Sequence, residues 1–345
     1  MTNEHLGPRI EKLSSWLTAT LSRPVNIDKI TRLSGGKSNP TFRIFLGNDS
    51  IILRKRPAGK LLRSAHAVDR EFTVMSALHS VGFPVPTPLA YCADRSILGT
   101  DFYVMQFVAG RTFWNGQLPE LSAVRRSAIY TSLISNLAQL HNLRTKDLGL
   151  DDFGAKGSYF ERQIARWSGQ LTKESIDKVP SLGRLGGFLN DSVPNSELTT
   201  LVHGDYRIDN LIFDGEEDSI AATIDWELST IGDPIADFSY LLLSWLLPQD
   251  GRAGLLAGDG ELPAGVPTLE TCCSLYCDLT NRASIRKLDW YFSYNFFRLA
   301  CIVQGVILRE SRSDNSQPKS GATWKNVSDL ADKARFHAQR VGYVL

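Results

Sequence analysis

The segment LVHGDYRIDNLIF at residues 201–213, followed by ATIDWE at 222–227, constrains this chain more than any other stretch. Apolar residues on both sides of the polar loop (Leu201-Val202 and Leu211-Ile212-Phe213) read as short buried strands that pin it. Twenty residues separate Asp205 from Asp225, and the turn residues Asp214-Gly215 fall in the gap. A strand, a turn and a second strand fit that length and return Asp225 beside Asn210. A loop held this way presents His203, Asp205, Arg207 and Asn210 at fixed spacing.

Those side chains match the needs of one chemistry. Phosphoryl transfer requires a base on the attacking oxygen, oxygen ligands for Mg²⁺, and cations that absorb charge on the moving group. Asp205 is the candidate base, and Arg207, two residues on, can neutralise a phosphate. Asn210 and Asp225 offer the hard oxygen donors that Mg²⁺ prefers. His203 reads as a structural residue shaping the loop, and Asp209 as a pin. The plainer reading is that Asp205 and Asp209 cap turns while His203 fills a core position.

Composition narrows the partners. At 345 residues the chain has room for two lobes. A formal net charge of +1 argues against nucleic acid or an anionic membrane as the main partner. The apolar run from Tyr240 to Leu247 is too short to span a bilayer. The N-terminus MTNEHLGPRIEK lacks the apolar stretch of a secretory leader, so a cytoplasmic protein is expected. Cys272, Cys273 and Cys277 cluster, but no matching Cys or His pair follows at zinc-site spacing. Leu269, Cys273, Tyr276 and Cys277 are spaced as one packed helical face.

Hydrophobic periodicity sets out the rest. A helix is expected over 5–21, with Ile10, Leu13, Trp16 and Leu17 on one stripe. Strands follow at 28–34, 41–47 and 50–56, then a helix at 66–80 and strands at 88–93 and 101–107. Beyond residue 121 the pattern is helical, at 121–142, 158–172, 234–247, 268–280, 285–310 and 323–340. A β-rich first part and helical remainder predict an α+β, two-lobed architecture: an N-lobe at 1–107 and a helical C-lobe at 108–345. Loops at 248–267 and 311–322 are the expected substrate-covering segments.

Taken together, LSGGKSNPTFRI, the ILRKRP–GKLL–H–REF stretch, FPVPTPLAYC, GTDFYVMQFVAGR, HGDYRIDN, IDWELSTIGDPIADFSYLL and FFRLACIVQGV resemble one family. It is the aminoglycoside phosphotransferase (phosphotransferase enzyme) family, with a protein-kinase-like fold. The likeness covers roughly residues 25–340 and is strongest to the branch fused to acyl-CoA dehydrogenases in animals. It implies an ATP- and Mg²⁺-dependent transfer to a hydroxyl of a small molecule. Gly35, Gly36 and Ser38 then belong to a nucleotide-covering loop, whose glycines allow backbone amides close to phosphate. The following strand carries the phosphate-holding cation, usually a lysine in protein kinases. Strand alternation favours Arg54 in that role, since it leaves Ile51 and Leu53 for the core and Lys55 near the surface. Glu71 on the next helix is its expected partner. Gln106, Phe107 and Val108, before Gly110, are candidates to hydrogen-bond the adenine, with ATP or GTP open.

Three readings remain: a small-molecule kinase, a nucleotide-binding pseudo-enzyme and a protein kinase. Asp205, Asn210 and Asp225 are all in place, which speaks against the pseudo-enzyme. The chain proceeds from Asp225 to Asp233-Pro234 within ten residues, which leaves little room for the peptide-docking segment of a protein kinase. For the acceptor, residues 248–345 hold ten Asp and Glu against twelve Lys and Arg, a weak fit to a polycationic aminoglycoside. The branch resemblance points to a hydroxyacyl-CoA or related hydroxy-acid derivative; an aminoglycoside or a choline-like amino alcohol is the alternative.

Overall fold

The expected α+β organisation is present in the computed structural model, which describes residues 9–33, 39–57, 67–155, 157–195, 198–249, 254–256, 260–311 and 321–344. The chain forms two compact units, each assembled from separated stretches. One takes residues up to 113, 146–150 and 208–229; the other takes 114–145, 151–207 and the residues from 230 on.

The first unit is built on a five-stranded antiparallel sheet in the order β1-β2-β3-β5-β4. Its strands are β1 (Lys29–Arg32), β2 (Thr41–Leu46), β3 (Asp49–Lys55), β4 (Pro88–Cys92) and β5 (Phe102–Gln106). Leu46 pairs with Asp49, so Gly47 and Asn48 form a two-residue hairpin turn, and Gly47 has the positive φ of 68° such a turn needs. Ile44, Ile51, Leu53, Phe102 and Val104 form the core with Leu13 and Leu17 of helix α1 (Ile10–Leu21). Helix α2 (Val68–Ser80) completes the unit and buries Glu71, Val74, Met75 and Leu78.

The segment after Asn210 joins this unit as the anticipated hairpin. Strand β7 (Leu211–Phe213) pairs antiparallel with β8 (Ile220–Thr223), and the Ile224 amide donates to the Asn210 carbonyl at 3.0 Å. Arg111 and Phe213 exchange backbone hydrogen bonds at 2.8 Å, which draws the two chains together at Gly110. A Cβ on Gly110 would lie 2.3 Å from the Phe213 carbonyl oxygen, so only glycine fits there.

The second unit is helical: α4 (Ala123–Asn142), α5 (Tyr159–Ser168), α6 (Lys173–Lys178), α7 (Ser181–Asp191), α8 (Pro234–Leu242), α9 (Leu269–Leu279), α10 (Leu288–Ser311) and α11 (Trp324–Gln339). A two-stranded antiparallel ladder of β6 (Thr200–Val202) and β9 (Thr230–Gly232) leads into its polar loop. The short helix α3 (Arg95–Leu98) lies in the first unit.

Several elements differ from the sequence expectation. The helix expected over 158–172 ends at Ser168, and α6 starts afresh with Thr172 in a capping box. Helix α7 was not anticipated because Gly183, Gly186 and Gly187 lower its intrinsic helicity. Packing overrides that penalty through buried Leu182, Leu185 and Leu189. A Cβ at Gly186 would meet Ser168 Oγ at 2.7 Å, so this glycine permits the close approach of α5. On α9 the buried face is Cys272, Tyr276 and Cys277, with Cys273 only partly covered. Tyr276 and Cys277 of the expected stripe are thus buried, Cys272 joins them, and Leu269 is partly covered. Much of both expected covering loops, including 250–253, 257–259 and 312–320, lies outside the described residues.

Among the described residues, α10 is the single helix long and apolar enough to cross a bilayer, and 61% of its apolar window is buried within the protein. It packs on α5, α7, α8 and α11. Substituting Gly110→Ala should destabilise the protein by about 1–3 kcal/mol through backbone displacement. A lower midpoint in chemical denaturation checks this, and an unchanged midpoint contradicts the close-approach argument.

Candidate active site

The candidate residues fall into two groups, each held by its own unit. In the first unit, Arg54 lies near the end of β3, facing α2, and is 8% exposed. Its Nε lies 3.0 Å from Glu71 Oε2, and its Nη2 lies 2.5 Å from Asp225 Oδ1 and 3.5 Å from Glu227 Oε2. Burial disfavours the guanidinium's charge, but Glu71, Tyr103, Asp225 and Glu227 outweigh it and raise the pKa above its ordinary value. Lys55, one residue on, is half-buried and faces elsewhere. Ile51 and Leu53 fill the core, as strand alternation requires.

Glu71 is 1% exposed and receives hydrogen bonds from Asn39 Nδ2 at 2.7 Å and Tyr103 Oη at 2.9 Å. Burial outweighs the opposing pull of Arg54 and pushes its pKa up to about 7. The carboxylate is therefore fixed by a strand, a helix and the residue that ends the glycine loop. Gly35, Gly36 and Ser38 themselves lie outside the described residues.

Asp225 adopts left-handed backbone angles, φ 70° and ψ 56°, which a non-glycine residue rarely takes. Such strain concentrates where a side chain must be aimed. With the Ile224–Asn210 bond, it sets Asp225 and Asn210 at adjoining ends of the β7/β8 hairpin. The pair supplies oxygen donors only, which suits a hard cation. Among the described residues no group of three or more His, Cys, Asp or Glu side chains is placed to hold a metal. Two protein ligands fit Mg²⁺, which commonly completes its shell with phosphate oxygens and water.

At the end of β5, Gln106 is exposed and its amide donates to the Thr87 carbonyl at 2.9 Å. Phe107 and Val108 follow the strand and are half-buried, and Arg43 stacks 3.5 Å from the Phe107 ring centroid. With the Gln106 amide committed, Phe107 and Val108 are the remaining candidates for an adenine-facing amide.

In the second unit, the loop after β6 carries Asp205 and Arg207. Its frame is Asp237 of α8, whose carboxylate accepts the amides of His203 at 2.5 Å and Gly204 at 2.8 Å. Burial alone would raise the pKa of Asp237, but His141 and the Gly204 amide hold it below the ordinary carboxylate range. Gly204 has φ of 83°, a conformation that favours glycine. The buried His203 accepts from the Asp205 amide through Nδ1 at 3.2 Å, a structural role as expected. Tyr206 is buried, with Oη within hydrogen-bond distance of the Leu133 carbonyl and Asn136 Oδ1. Asp233 caps α8 by accepting from the Ile235 amide, with Pro234 at the first helical position.

Sequence reasoning did not identify Tyr240, Arg298, Glu227 or Tyr103. Tyr240 Oη donates to Asp205 Oδ1 at 2.8 Å, and Arg298 Nη2 donates to the Gly204 carbonyl at 2.6 Å. Tyr240 lies three residues after Asp237, so helical spacing could have placed both on the face that meets the loop. Arg298 had a weaker signal: one cation amid the aromatic run of α10.

Comparisons with known proteins agree with this layout. The profile of the phosphotransferase enzyme family matches residues 29–270. Acyl-CoA dehydrogenase family member 11 of Rattus norvegicus is 39% identical over 305 residues, covering 88% of this chain and 39% of the relative. The chain thus spans well under half the length of the acyl-CoA dehydrogenase relatives that it matches. A crystal structure from Ralstonia eutropha, assigned to the aminoglycoside phosphotransferases, superposes with a TM-score of 0.82 at 32% identity. The match covers 96% of this chain and 98% of that one. Spectinomycin phosphotransferase, in complex with ADP and spectinomycin, superposes at 0.58 over 95% of this chain and 98% of that one; at 14% identity this is a likeness of fold.

Arg54→Ala should cost about 3–5 kcal/mol, since it leaves buried Glu71 uncompensated. Lys55→Ala, off the network, should fall within about 0.5 kcal/mol. Urea denaturation of both variants checks the difference, and equal losses would contradict the assigned strand face.

Proposed function

This chain belongs to the phosphotransferase enzyme family and is a small-molecule phosphotransferase with an alcohol group as acceptor, and on that premise we propose that it moves the γ-phosphate of ATP onto a hydroxy-acyl compound in a Mg²⁺-dependent reaction. The observation that carries the reading is the network that joins the buried Arg54 and Glu71 to the part-buried Asp225. A fixed cation linked to a carboxylate at a strained backbone position is the arrangement needed to hold a nucleotide's phosphates.

Each residue has a distinct task. Arg54, oriented by Glu71, grips phosphate oxygens, with the glycine loop at 35–38 covering them. The backbone at Phe107 and Val108 receives the base. Asn210 and Asp225 would hold Mg²⁺, which when bound neutralises phosphate charge and orients the terminal group. Asp205 accepts the acceptor hydroxyl's proton or aligns its oxygen, aided by the Tyr240 hydroxyl at 2.8 Å. Arg207 balances the charge on the transferred group.

The acyl character of the acceptor is supported by two features. The relatives that this chain resembles over most of its length are named as acyl-CoA dehydrogenases. The near balance of acidic and basic residues beyond 248 suits a polycationic acceptor poorly. Asp205→Asn should lower phosphoryl transfer by roughly 10²- to 10⁴-fold, the usual contribution of a general base, while nucleotide affinity stays within a few-fold. Isothermal titration with ATP analogues and a coupled ADP-release assay separate the two effects. Full turnover in Asp205→Asn would remove Asp205 from the chemistry.

A further inference from the structure

Arg298 occupies a position that packing alone does not explain. It lies within α10, is 7% exposed, and donates to the Gly204 carbonyl at 2.6 Å. Its guanidinium lies 4.9 Å from the ring centroid of Tyr240 and 5.8 Å from that of Trp167 on α5. Burial disfavours its charge, but Tyr294, Tyr240, Tyr159 and the carboxylate of Asp205 outweigh that and raise its pKa. A guanidinium has five N–H donors, and taking one out of water is costly unless hydrogen bonds and nearby charge offset it. The aromatic faces offset part of that cost, on the order of 0.5–2 kcal/mol each.

The location is as informative as the charge. Gly204 immediately precedes Asp205, and the Tyr240 ring under Arg298 carries the hydroxyl that meets Asp205 Oδ1. The cation therefore adjoins the proposed base through two independent contacts, one along the backbone and one through Tyr240. A hydroxyl delivered to Asp205 arrives with the atoms a few bonds away from it close to a fixed positive charge. The guanidinium would repel an ammonium group there and attract an electron-rich oxygen.

We infer that Arg298 is a specificity-determining residue that binds an acyl oxygen of the acceptor, either a thioester carbonyl or a carboxylate, and so selects hydroxy-acyl compounds over amines and simple alcohols. This rests on the reading of Asp205 as the group that receives the hydroxyl, and it adds which acceptors are admitted. In the transfer, the hydroxyl oxygen bonds to the γ-phosphorus, the bond from that phosphorus to the ADP oxygen breaks, and the hydroxyl proton passes to Asp205. Arg298 holds the neighbouring acyl oxygen throughout and exchanges no proton.

The test uses the whole chain with Mg·ATP and four acceptors on one carbon skeleton: a hydroxyacyl-CoA, the free hydroxy acid, the diol lacking the acyl oxygen, and the amino alcohol. Wild-type kcat/KM for the better of the first two should exceed that for the diol by roughly 10- to 100-fold, as expected for a charge-assisted hydrogen bond. The amino alcohol should be poorer still. Whether thioester or free acid leads identifies which acyl oxygen is bound. Arg298→Gln should collapse the acyl-to-diol ratio toward one, mainly through KM, and Arg298→Lys should restore part of it. Support for the Gly204 carbonyl alone would instead lower turnover of all four acceptors equally and overturn the inference. A wild-type ratio near one overturns it without any variant, which covers the case where substitutions at 298 fail to fold. Absence of transfer to every alcohol would instead strike at the phosphotransfer reading itself, and this inference with it.

Discussion

Asp237 holds the proposed catalytic loop in place, and much else in the helical unit is arranged around that contact. A buried carboxylate is tolerable only when its oxygens are satisfied, and the amides of His203 and Gly204 satisfy them. Those bonds fix the loop to α8, a fully buried helix. The left-handed Gly204 lets both amides reach the same carboxylate while its own carbonyl turns to Arg298. Asp205 is then positioned from three sides: by the turn, by the His203 ring and by Tyr240.

The other unit applies the same logic with opposite charges. Arg54 and Glu71 are both nearly inaccessible, and each would be costly without the other. Asn39 and Tyr103 complete the coordination of Glu71, which ties the strand carrying Arg54 to the end of the glycine loop. An arginine is well suited here because its planar fork reaches Glu71 through Nε and Asp225 through Nη2 at once. A lysine has a single nitrogen and would have to divide its contacts differently.

Much of this was legible in the sequence, for identifiable reasons. The β7/β8 hairpin followed from apolar runs of strand length around Asp214-Gly215. The face carrying Arg54 followed from the alternation of Ile51 and Leu53. What escaped depends on tertiary packing. Helix α7 is rich in glycine, and its helicity comes from the leucines it buries and from the close passage of Gly186 by α5. Arg298 and Asp205 are far apart in the chain, and no local pattern announces a buried cation whose acceptor is a glycine carbonyl. Glu227 has no spacing signal of its own in the sequence, and the structure sets it near Arg54.

Both networks converge on one claim, that the chain phosphorylates a small alcohol bearing an acyl group. The most direct measurement is product identification by mass spectrometry after incubating the purified wild-type chain with Mg·ATP and a panel of hydroxyacyl-CoAs, aminoglycosides, amino alcohols and sugars. A phosphate ester formed on the hydroxyacyl compounds, with ADP released in equal amount, is the predicted result. Phosphate transferred only to an aminoglycoside would contradict the account.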